Sequence, residues 1–198
     1  MLMCGRYNFD GDSVDLREII DELNRKYGPG AKTGEVFPTD TAAVLAAREG
    51  AVIPLPFIWG FPKWQGPGVI FNARSETARE KTMFRRSLEM RRCVVPSSGF
   101  FEWQQAEGKK KKDKYLFAQP DSPVTYMAGL WNTFTTADGS EYPAFVILTT
   151  AANQSVSPIH QRMPVILSAS EKDAWLLDNR FVDHALERPG PELVHTPA

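Results

Sequence analysis

The segment Arg92-Cys93-Val94-Val95-Pro96-Ser97-Ser98-Gly99-Phe100-Phe101-Glu102-Trp103 shows the pattern that decides the fold class. A short apolar run, Cys93–Val95, ends at turn residues, and an aromatic segment follows. Such runs are typical of β-strands. Seven further runs share this character: Ala42–Ala46, Val52–Trp59, Gly68–Phe71, Tyr115–Ala118, Thr125–Leu130, Ala144–Thr149 and Val165–Leu167. Because these short runs recur at modest spacing, we predict antiparallel or mixed sheets, not a repeated βαβ unit.

Helical patterns accompany the strands. Asp12–Tyr27 has apolar residues at the helical period, a capping residue at Asp12 or Ser13, and a stop at Gly28-Pro29. Three further helices are expected: Ser75–Met90, one opened by a Ser168–Glu171 capping box and ending at Leu177, and one from Asp178 to Glu187. With no repeat and no linker, we predict a single α+β domain over residues 1–198.

The cysteines and the hydropathy restrict the class of protein. Cys4 and Cys93 show neither metal-ligand spacing nor a disulfide framework, and the three histidines add no ligand pattern. We therefore expect no metal, no cofactor and a reducing, cytoplasmic setting. The chain has no run of about 18 apolar residues and no signal peptide, so we expect no membrane segment.

The charge is unevenly placed. The net charge of −1 excludes an indiscriminate polycation. Between Arg74 and Arg92, basic residues outnumber acidic ones, and after Lys114 the balance reverses. A basic segment on a nearly neutral protein is typical of a selective polyanion binder, and equally of a solvated helix face.

Cys4 lies near the start of the chain, in Met3-Cys4-Gly5-Arg6-Tyr7. If the preceding residues are removed, Cys4 presents an amine and a thiol on adjacent carbons. These groups titrate at about 7.7–8.0 and about 8.5, so a useful fraction of each is unprotonated near neutral pH. The amine can form an imine with an aldehyde, and the thiol can close a thiazolidine ring. The alternative is that Cys4 is a small apolar residue without a catalytic role.

Three segments place polar residues where predicted strands end, which is where sites tend to form. Asn72–Glu76 follows an apolar run, Glu102 lies among aromatic residues, and His160 lies beside Arg162 in a loop bracketed by prolines. Desolvation of Glu102 would disfavour its charged form and suit it to act as a general acid. The alternatives are a solvated strand glutamate and an incidental loop histidine.

Taken together, seven motifs in order resemble the SRAP (SOS response-associated peptidase) family, whose members crosslink to abasic sites in single-stranded DNA. The motifs are Met3–Tyr7, Trp59-Gly60, Asn72–Glu76, Arg92–Pro96 with Gly99–Trp103, Ala128–Trp131, Thr149–Asn153 and His160–Pro164. The resemblance runs from Cys4 to about Leu167. It implies a β-rich, barrel-like core of mostly antiparallel strands flanked by short helices, with a DNA groove leading to the cysteine.

The resemblance also implies roles for four residues. Cys4 matches the nucleophile that captures the aldehyde of an abasic sugar as a thiazolidine. Asn72 matches the residue that holds the cysteine and the sugar, and Glu102 matches the acidic partner of imine formation. His160 matches the acid/base that assists opening of the sugar ring. How Glu102 and His160 divide the proton transfers stays open.

The resemblance further implies a DNA-binding set. Arg6, Arg74 and Arg162 are the candidate phosphate contacts, with Arg85 and Arg86 as weaker candidates. Trp103, and less surely Trp64 or Phe84, could stack on a base. We expect a monomer that binds single-stranded DNA containing abasic sites independently of base sequence, with salt-dependent affinity. Such a protein would associate with the nucleoid when bound to DNA.

The sequence departs from the family pattern at both ends. Family members begin Met-Cys, whereas Leu2 here should block ordinary removal of Met1. Translation therefore starts at Met3, or the Met3–Cys4 bond is cleaved by self-processing. Family members also continue beyond Leu193–His195, so we expect a missing terminal strand or a shortened chain. The alternative functions are a cysteine peptidase acting on other proteins and a non-catalytic binder of single-stranded DNA.

Overall fold

The computed structural model describes residues 5–105, 108 and 111–198, so Cys4 lies outside the described residues. The strands are β1 (Tyr7–Phe9), β2 (Gly34–Val36), β3 (Thr41–Arg48), β4 (Ala51–Trp59), β5 (Phe61–Pro62), β6 (Val69–Ile70), β7 (Asn72–Arg74), β8 (Arg92–Ser97), β9 (Gly99–Gln104), β10 (Asp113–Ala118), β11 (Thr125–Thr135), β12 (Glu141–Ala151), β13 (Arg162–Pro164), β14 (Ile166–Leu167) and β15 (Val194–Pro197). The α-helices are α1 (Val14–Tyr27), α2 (Thr82–Met90), α3 (Lys172–Leu177) and α4 (Phe181–Glu187).

Five strands close into a barrel. Antiparallel pairing joins β4 to β3, β3 to β8, β8 to β11 and β11 to β12. The ring closes through a parallel pair in which Ala144 of β12 lies opposite Ile58 of β4. Closure removes the unpaired edges that an open sheet would expose. The predicted α+β class, with a barrel-like core of mostly antiparallel strands and short helices around it, is confirmed.

A second, antiparallel sheet has the strand order β15-β10-β9-β1-β2. Its β15 strand pairs with β10, with Thr196 opposite Leu116. Residues after Leu193 therefore contribute a strand to this sheet. The sheet matters for the site because it places the N-terminal strand β1 directly beside β9, which carries Glu102.

Trp59 packs the second sheet against the barrel. Its side chain is fully buried, and its ring lies 5.1 Å from the ring of Tyr7 in β1 and 6.2 Å from that of Phe145 in β12. Its Nε1 donates a hydrogen bond of 2.9 Å to the carbonyl of Phe71. The buried indole therefore has a partner for its polar atom, as a tryptophan inside a core requires.

The helices follow their sequence signals in part. Ser13 occupies the N-cap of α1, but its side chain makes no capping hydrogen bond. Helix α4 begins at Phe181 and not at the predicted Asp178. Helix α1 ends where predicted, at Gly28, whose φ of 78° suits glycine. The predicted capping box between Ser168 and Glu171 is present and opens a 3₁₀ turn that leads into α3. The expected Ser75–Met90 helix is interrupted, because only 75–77 form a 3₁₀ turn before α2 begins at Thr82. Every helix in the described part of the chain falls short of the length and apolar content that a membrane crossing requires.

Arg92 anchors two helices to the barrel. Its guanidinium is buried and donates to the carbonyls of Leu88 and Glu89 at the end of α2, at 2.9 and 3.0 Å. It also donates to the carbonyl of Trp175 in α3 and, at 2.7 Å, to Oδ1 of Asn179. The last carbonyls of a helix have no partner within the helix. One side chain therefore satisfies the ends of both α2 and α3.

We expect Arg92→Met to lower the free energy of unfolding by roughly 2–4 kcal/mol, because it leaves several buried acceptors without a donor. Urea denaturation followed by circular dichroism measures the change. The matched control is Arg180→Met, which removes an exposed arginine paired with Asp178 and should leave the midpoint nearly unchanged. Equal effects of the two substitutions would contradict this account of Arg92.

Candidate functional site

Glu102 lies in the interior of β9. Successive side chains of a strand point to opposite faces, so Glu102 shares a face with the fully buried Phe100, while Trp103 points the other way. The Glu102 side chain is only 2% exposed. Its Oε1 has no hydrogen bond from any residue that the structure describes. Burial raises the pKa of Glu102 to about 8, and the positive charge of Lys112 opposes part of this rise.

His160 is the titratable group that faces this carboxyl. Its Nδ1 lies 3.7 Å from Oε1 of Glu102, and both side chains are buried. The same Nδ1 lies 3.0 Å from the carbonyl oxygen of Arg162 and 3.2 Å from its amide nitrogen. Within the described residues, Nε2 makes no hydrogen bond. When Nδ1 carries the proton and donates a hydrogen bond to that carbonyl, Nε2 has a free lone pair for acid–base catalysis.

Two polar residues that the sequence analysis did not single out as functional hold the His160 loop, defined as residues 152–161. Oδ1 of Asn153 accepts hydrogen bonds from the amide and hydroxyl of Ser155, while its Nδ2 donates to the carbonyl of Pro191 at 2.7 Å. From β9, Nε2 of Gln104 donates to the carbonyl of Pro158 at 3.0 Å. The sequence Asn153-Gln154-Ser155 is typical of an Asx turn, and it could have indicated that Asn153 holds this loop.

Strand β12 brings the Asn72 segment to the same region. It pairs with β7, where Asn72 lies opposite Ile147, and with β13, where Arg162 lies opposite Ala151. Asn72 is buried and lines a cleft of about 270 Å³ together with Arg74. The predicted segments around Asn72 and His160 therefore flank one strand.

The predicted phosphate contact Arg162 is engaged with protein groups. Its Nη2 donates to Oε2 of Glu76 at 2.8 Å and to the carbonyl of Thr149 at 2.6 Å, and its Nη1 donates to Oε1 of Glu76. This paired hydrogen bonding with Arg162 lowers the pKa of Glu76, with burial opposing it. Arg162 thus ties the end of β7 to the His160 loop.

The remaining predicted DNA contacts occupy different positions. Arg6 lies with its guanidinium 5.0 Å from the ring of Trp103, on the face of the second sheet that Glu102 does not use. Arg74, Arg85 and Arg86 are exposed, and Trp64 is 93% exposed.

The position of Phe84 differs from the one expected for a residue that stacks on a DNA base. It is 4% exposed and its ring centroid lies 6.1 Å from that of Phe61 in the core. With so little of its surface exposed, its apolar side chain serves mainly to anchor α2, although it also lines the cleft that contains Asn72 and Arg74.

The structure gives no support to a metal site or to a second reactive thiol. Across residues 5–105, 108 and 111–198, no three His, Cys, Asp or Glu side chains group as metal ligands would. Cys93 is buried in β8, and burial raises the pKa of its thiol, which leaves it protonated and unreactive.

Comparison with known proteins agrees with this architecture. A family model described as SOS response associated peptidase (SRAP) matches residues 3–192. The chain is 35% identical over 186 residues to the abasic site processing protein YoqW of Bacillus subtilis strain 168, covering 88% of this chain and 80% of that protein. It is 30% identical over 179 residues to the abasic site processing protein YedK of Escherichia coli K12, covering 88% and 79%.

The fold has relatives among solved structures. A crystal structure of a protein from Bacteroides thetaiotaomicron superposes with a TM-score of 0.81 at 23% identity, covering 98% of this chain and 91% of that one. At this identity the likeness concerns the fold alone.

The raised pKa of Glu102 makes stability depend on pH. Because the folded-state pKa of about 8 lies above the ordinary 4.5, the folded state opposes ionisation of Glu102. Stability is therefore lost as pH rises from about 5 to 9, by roughly 4 kcal/mol if Glu102 acts alone. We expect Glu102→Gln to remove this part of the pH dependence, as measured by urea denaturation at pH 5, 7 and 9.

The exposed Glu141 provides the matched control for this experiment. Glu141→Gln should leave the pH dependence of the wild type intact. If Glu102→Gln and the wild type lose stability in parallel between pH 5 and 9, Glu102 does not have a raised pKa.

Proposed function

The chain belongs to the SOS response associated peptidase family, and on that basis we propose that it processes abasic sites in single-stranded DNA. In this proposal Cys4, freed of the residues before it, captures the aldehyde of the abasic sugar as a thiazolidine and shields the lesion. Two relatives named abasic site processing proteins support the lesion as the target. The resemblance of the Cys4, Asn72, Glu102 and His160 motifs supports the chemistry.

The buried pair of Glu102 and His160 beside the N-terminal strand is the observation that supports this reading most. The amide of Phe101, next to Glu102, donates to the carbonyl of Arg6 at 2.9 Å. Two residues span at most about 7 Å of chain. The length of chain between Arg6 and Cys4 therefore permits the cysteine to approach the Glu102 carboxyl, which gives this buried acid a role in the proposal.

The first chemical step is opening of the sugar. An abasic deoxyribose is mostly a closed hemiacetal, and the aldehyde appears when the ring oxygen gains a proton and the anomeric hydroxyl loses one. We assign this proton transfer to His160, whose Nε2 has no protein partner among the described residues. Asn72, on the neighbouring strand, is assigned to hold the opened sugar.

The second step forms two bonds and releases one water. The Cys4 amine adds to the aldehyde carbon to give a carbinolamine, which loses its hydroxyl as water and leaves an imine. The Cys4 sulfur then adds to the imine carbon while its proton passes to the imine nitrogen, which closes the five-membered ring. A protonated Glu102 donates to the departing hydroxyl, and its pKa of about 8 keeps it protonated at neutral pH.

The free amine requires cleavage before Cys4, or translation from Met3 with removal of that methionine. We propose that the protein cleaves the Met3–Cys4 bond itself, with His160 as the base that takes the proton of the Cys4 thiol. The Cys4 sulfur adds to the Met3 carbonyl carbon, and the C–N bond breaks to give the free Cys4 amine and a thioester. Water then hydrolyses the thioester, which releases residues 1–3 with a terminal carboxylate and restores the thiol. A cysteine peptidase that acts on other proteins would need the thiol and His160, but neither the free amine nor Asn72.

We expect protein that begins at Cys4 to give a heat-stable, slow-migrating band with single-stranded DNA whose abasic site comes from uracil-DNA glycosylase. Denaturing gel electrophoresis detects the band. Cys4→Ser keeps the amine but loses the thiol, so it can form only an imine, which hydrolyses. The band should fall to background with Cys4→Ser and persist with Cys93→Ser, since Cys93 is buried.

Two results would overturn the proposal. One is a heat-stable band of equal yield with Cys4→Ser. The other is a protein that starts at Cys4, gives no band, and cleaves unrelated polypeptides.

The roles of Glu102 and His160 can be distinguished by comparing two substrates. We expect Glu102→Gln and His160→Ala each to slow capture of the natural abasic site by roughly 10²-fold. An acyclic aldehyde has no sugar ring to open. With this substrate, the capture rate of His160→Ala should return to the wild-type value, while the capture rate of Glu102→Gln should remain low. Single-turnover rates from pH 6 to 9 measure this, and the wild-type rate should fall above the Glu102 pKa of about 8. Wild-type capture rates in both variants would contradict the proton-transfer roles assigned to Glu102 and His160.

A further inference from the structure

A second cleft of larger volume lies along β9 and β10, with Trp103 in its lining. Its volume is about 650 Å³. We call it the lysine cleft. Its lining is mostly basic and aromatic and includes Arg6, Trp103, Lys111, Lys112, Lys114 and Tyr115, with Asp113 as an acidic member.

One carboxylate holds two of these cations. Oε2 of Glu35 lies 3.1 Å from Nη1 of Arg6, and Oε1 of the same group accepts a hydrogen bond from Nζ of Lys114. The hydrogen bond from Lys114 is the largest cause that lowers the pKa of Glu35, with Arg6 contributing further. Glu35 is therefore ionised at neutral pH.

The two cations also lie over aromatic rings. The Arg6 guanidinium is 4.1 Å from the ring centre of Phe37, and Nζ of Lys114 is 3.9 Å from that of Phe101. Cation–π contact and ion pairing together fix both side chains in one place. Such preorganised cations can accept an anion without first losing side-chain freedom.

The carboxylate of Glu35 presents two oxygens to the cations as a phosphate diester does. It is 38% exposed, and Arg6 is 29% exposed, so the pair lies at the surface where ion pairs are weak. An incoming phosphate can therefore take its place. Trp103, in the same cleft, offers a ring for a base.

We infer that Glu35 is a displaceable carboxylate, which holds Arg6 and Lys114 in place at the lysine cleft until a phosphate of the DNA strand that flanks the lesion takes its position. This inference rests on the proposed function, because single-stranded DNA is the source of the phosphate. The Glu35 carboxylate lowers the affinity for DNA, since a phosphate must displace it.

The test measures binding without covalent capture. A fluorescent single-stranded oligonucleotide without an abasic site is titrated with protein, and anisotropy is followed from 50 to 200 mM salt. Glu35→Gln removes the negative charge that opposes an incoming phosphate at Arg6 and Lys114, so it should tighten binding about 3- to 10-fold at low salt, with a steeper salt dependence. Lys114→Met should weaken binding and reduce the slope of log K against log salt by about 0.7.

A matched pair of controls lies on α1. Glu22 and Lys26 form an exposed ion pair at 2.6 Å, so Glu22→Gln and Lys26→Met make the same changes of net charge away from the cleft. Lys114→Arg should retain binding, which separates the role of the charge from the integrity of β10. If Glu35→Gln binds DNA no more tightly than Glu22→Gln, or Lys114→Met no more weakly than Lys26→Met, the inference is wrong.

The outcomes distinguish this inference from the proposed function. The oligonucleotide has no aldehyde, so the affinities do not depend on Cys4. Normal crosslinking with no difference between the cleft variants and their controls overturns the lysine cleft alone. Absence of both crosslinking and DNA binding overturns both proposals.

Discussion

Strand β12 is the element on which both the barrel and the site depend. It pairs with β11 and β4 to close the barrel, and farther along it pairs with β7 and β13. A single strand therefore sets the register of the segment that carries Asn72 and of the segment that follows His160. Since side chains alternate along a strand, a shift of one residue in β12 would turn both segments away from the site. The position of the site is thus fixed by the same hydrogen bonds that close the core.

The Glu102–His160 pair opposes the stability that this framework provides. A carboxyl group that is 2% exposed, with no cation in hydrogen-bond contact among the described residues, is unfavourable when charged. The structure accommodates it by raising its pKa to about 8 and by keeping His160 at 3.7 Å. The loop that carries His160 is held from both sides, by Gln104 and by Asn153. Stability elsewhere in the fold therefore supports a group that is poised to exchange a proton.

Much of the fold and part of the site could be predicted from the sequence. Local signals were sufficient for α1, for the Ser168–Glu171 capping box and for the short strands, because caps and apolar periodicity act over a few residues. Pairings between distant residues were not predictable in this way. Arg92 reaches Asn179, 87 residues away, and Gln104 reaches Pro158, 54 residues away. The burial of Phe84 was missed for the same reason, since the packing of α2 against the core is decided by tertiary contacts.

The carboxylates explain why composition alone gave a weak signal for nucleic-acid binding. Glu35 pairs with Arg6 and Glu76 pairs with Arg162, two arginines that the family resemblance assigns to DNA. Contact with Lys114 and Arg6 lowers the pKa of Glu35, and contact with Arg162 lowers the pKa of Glu76. Glu102 is the opposite case, because it is buried without such a contact and its pKa rises. The same residue type therefore serves as a counter-ion at the surface and, in the proposed function, as a proton donor inside. A nearly neutral chain can still present concentrated positive charge to a phosphate, provided that its own carboxylates are exposed enough to give way. Binding would then depend on local exchange of one anion for another, and not on net charge.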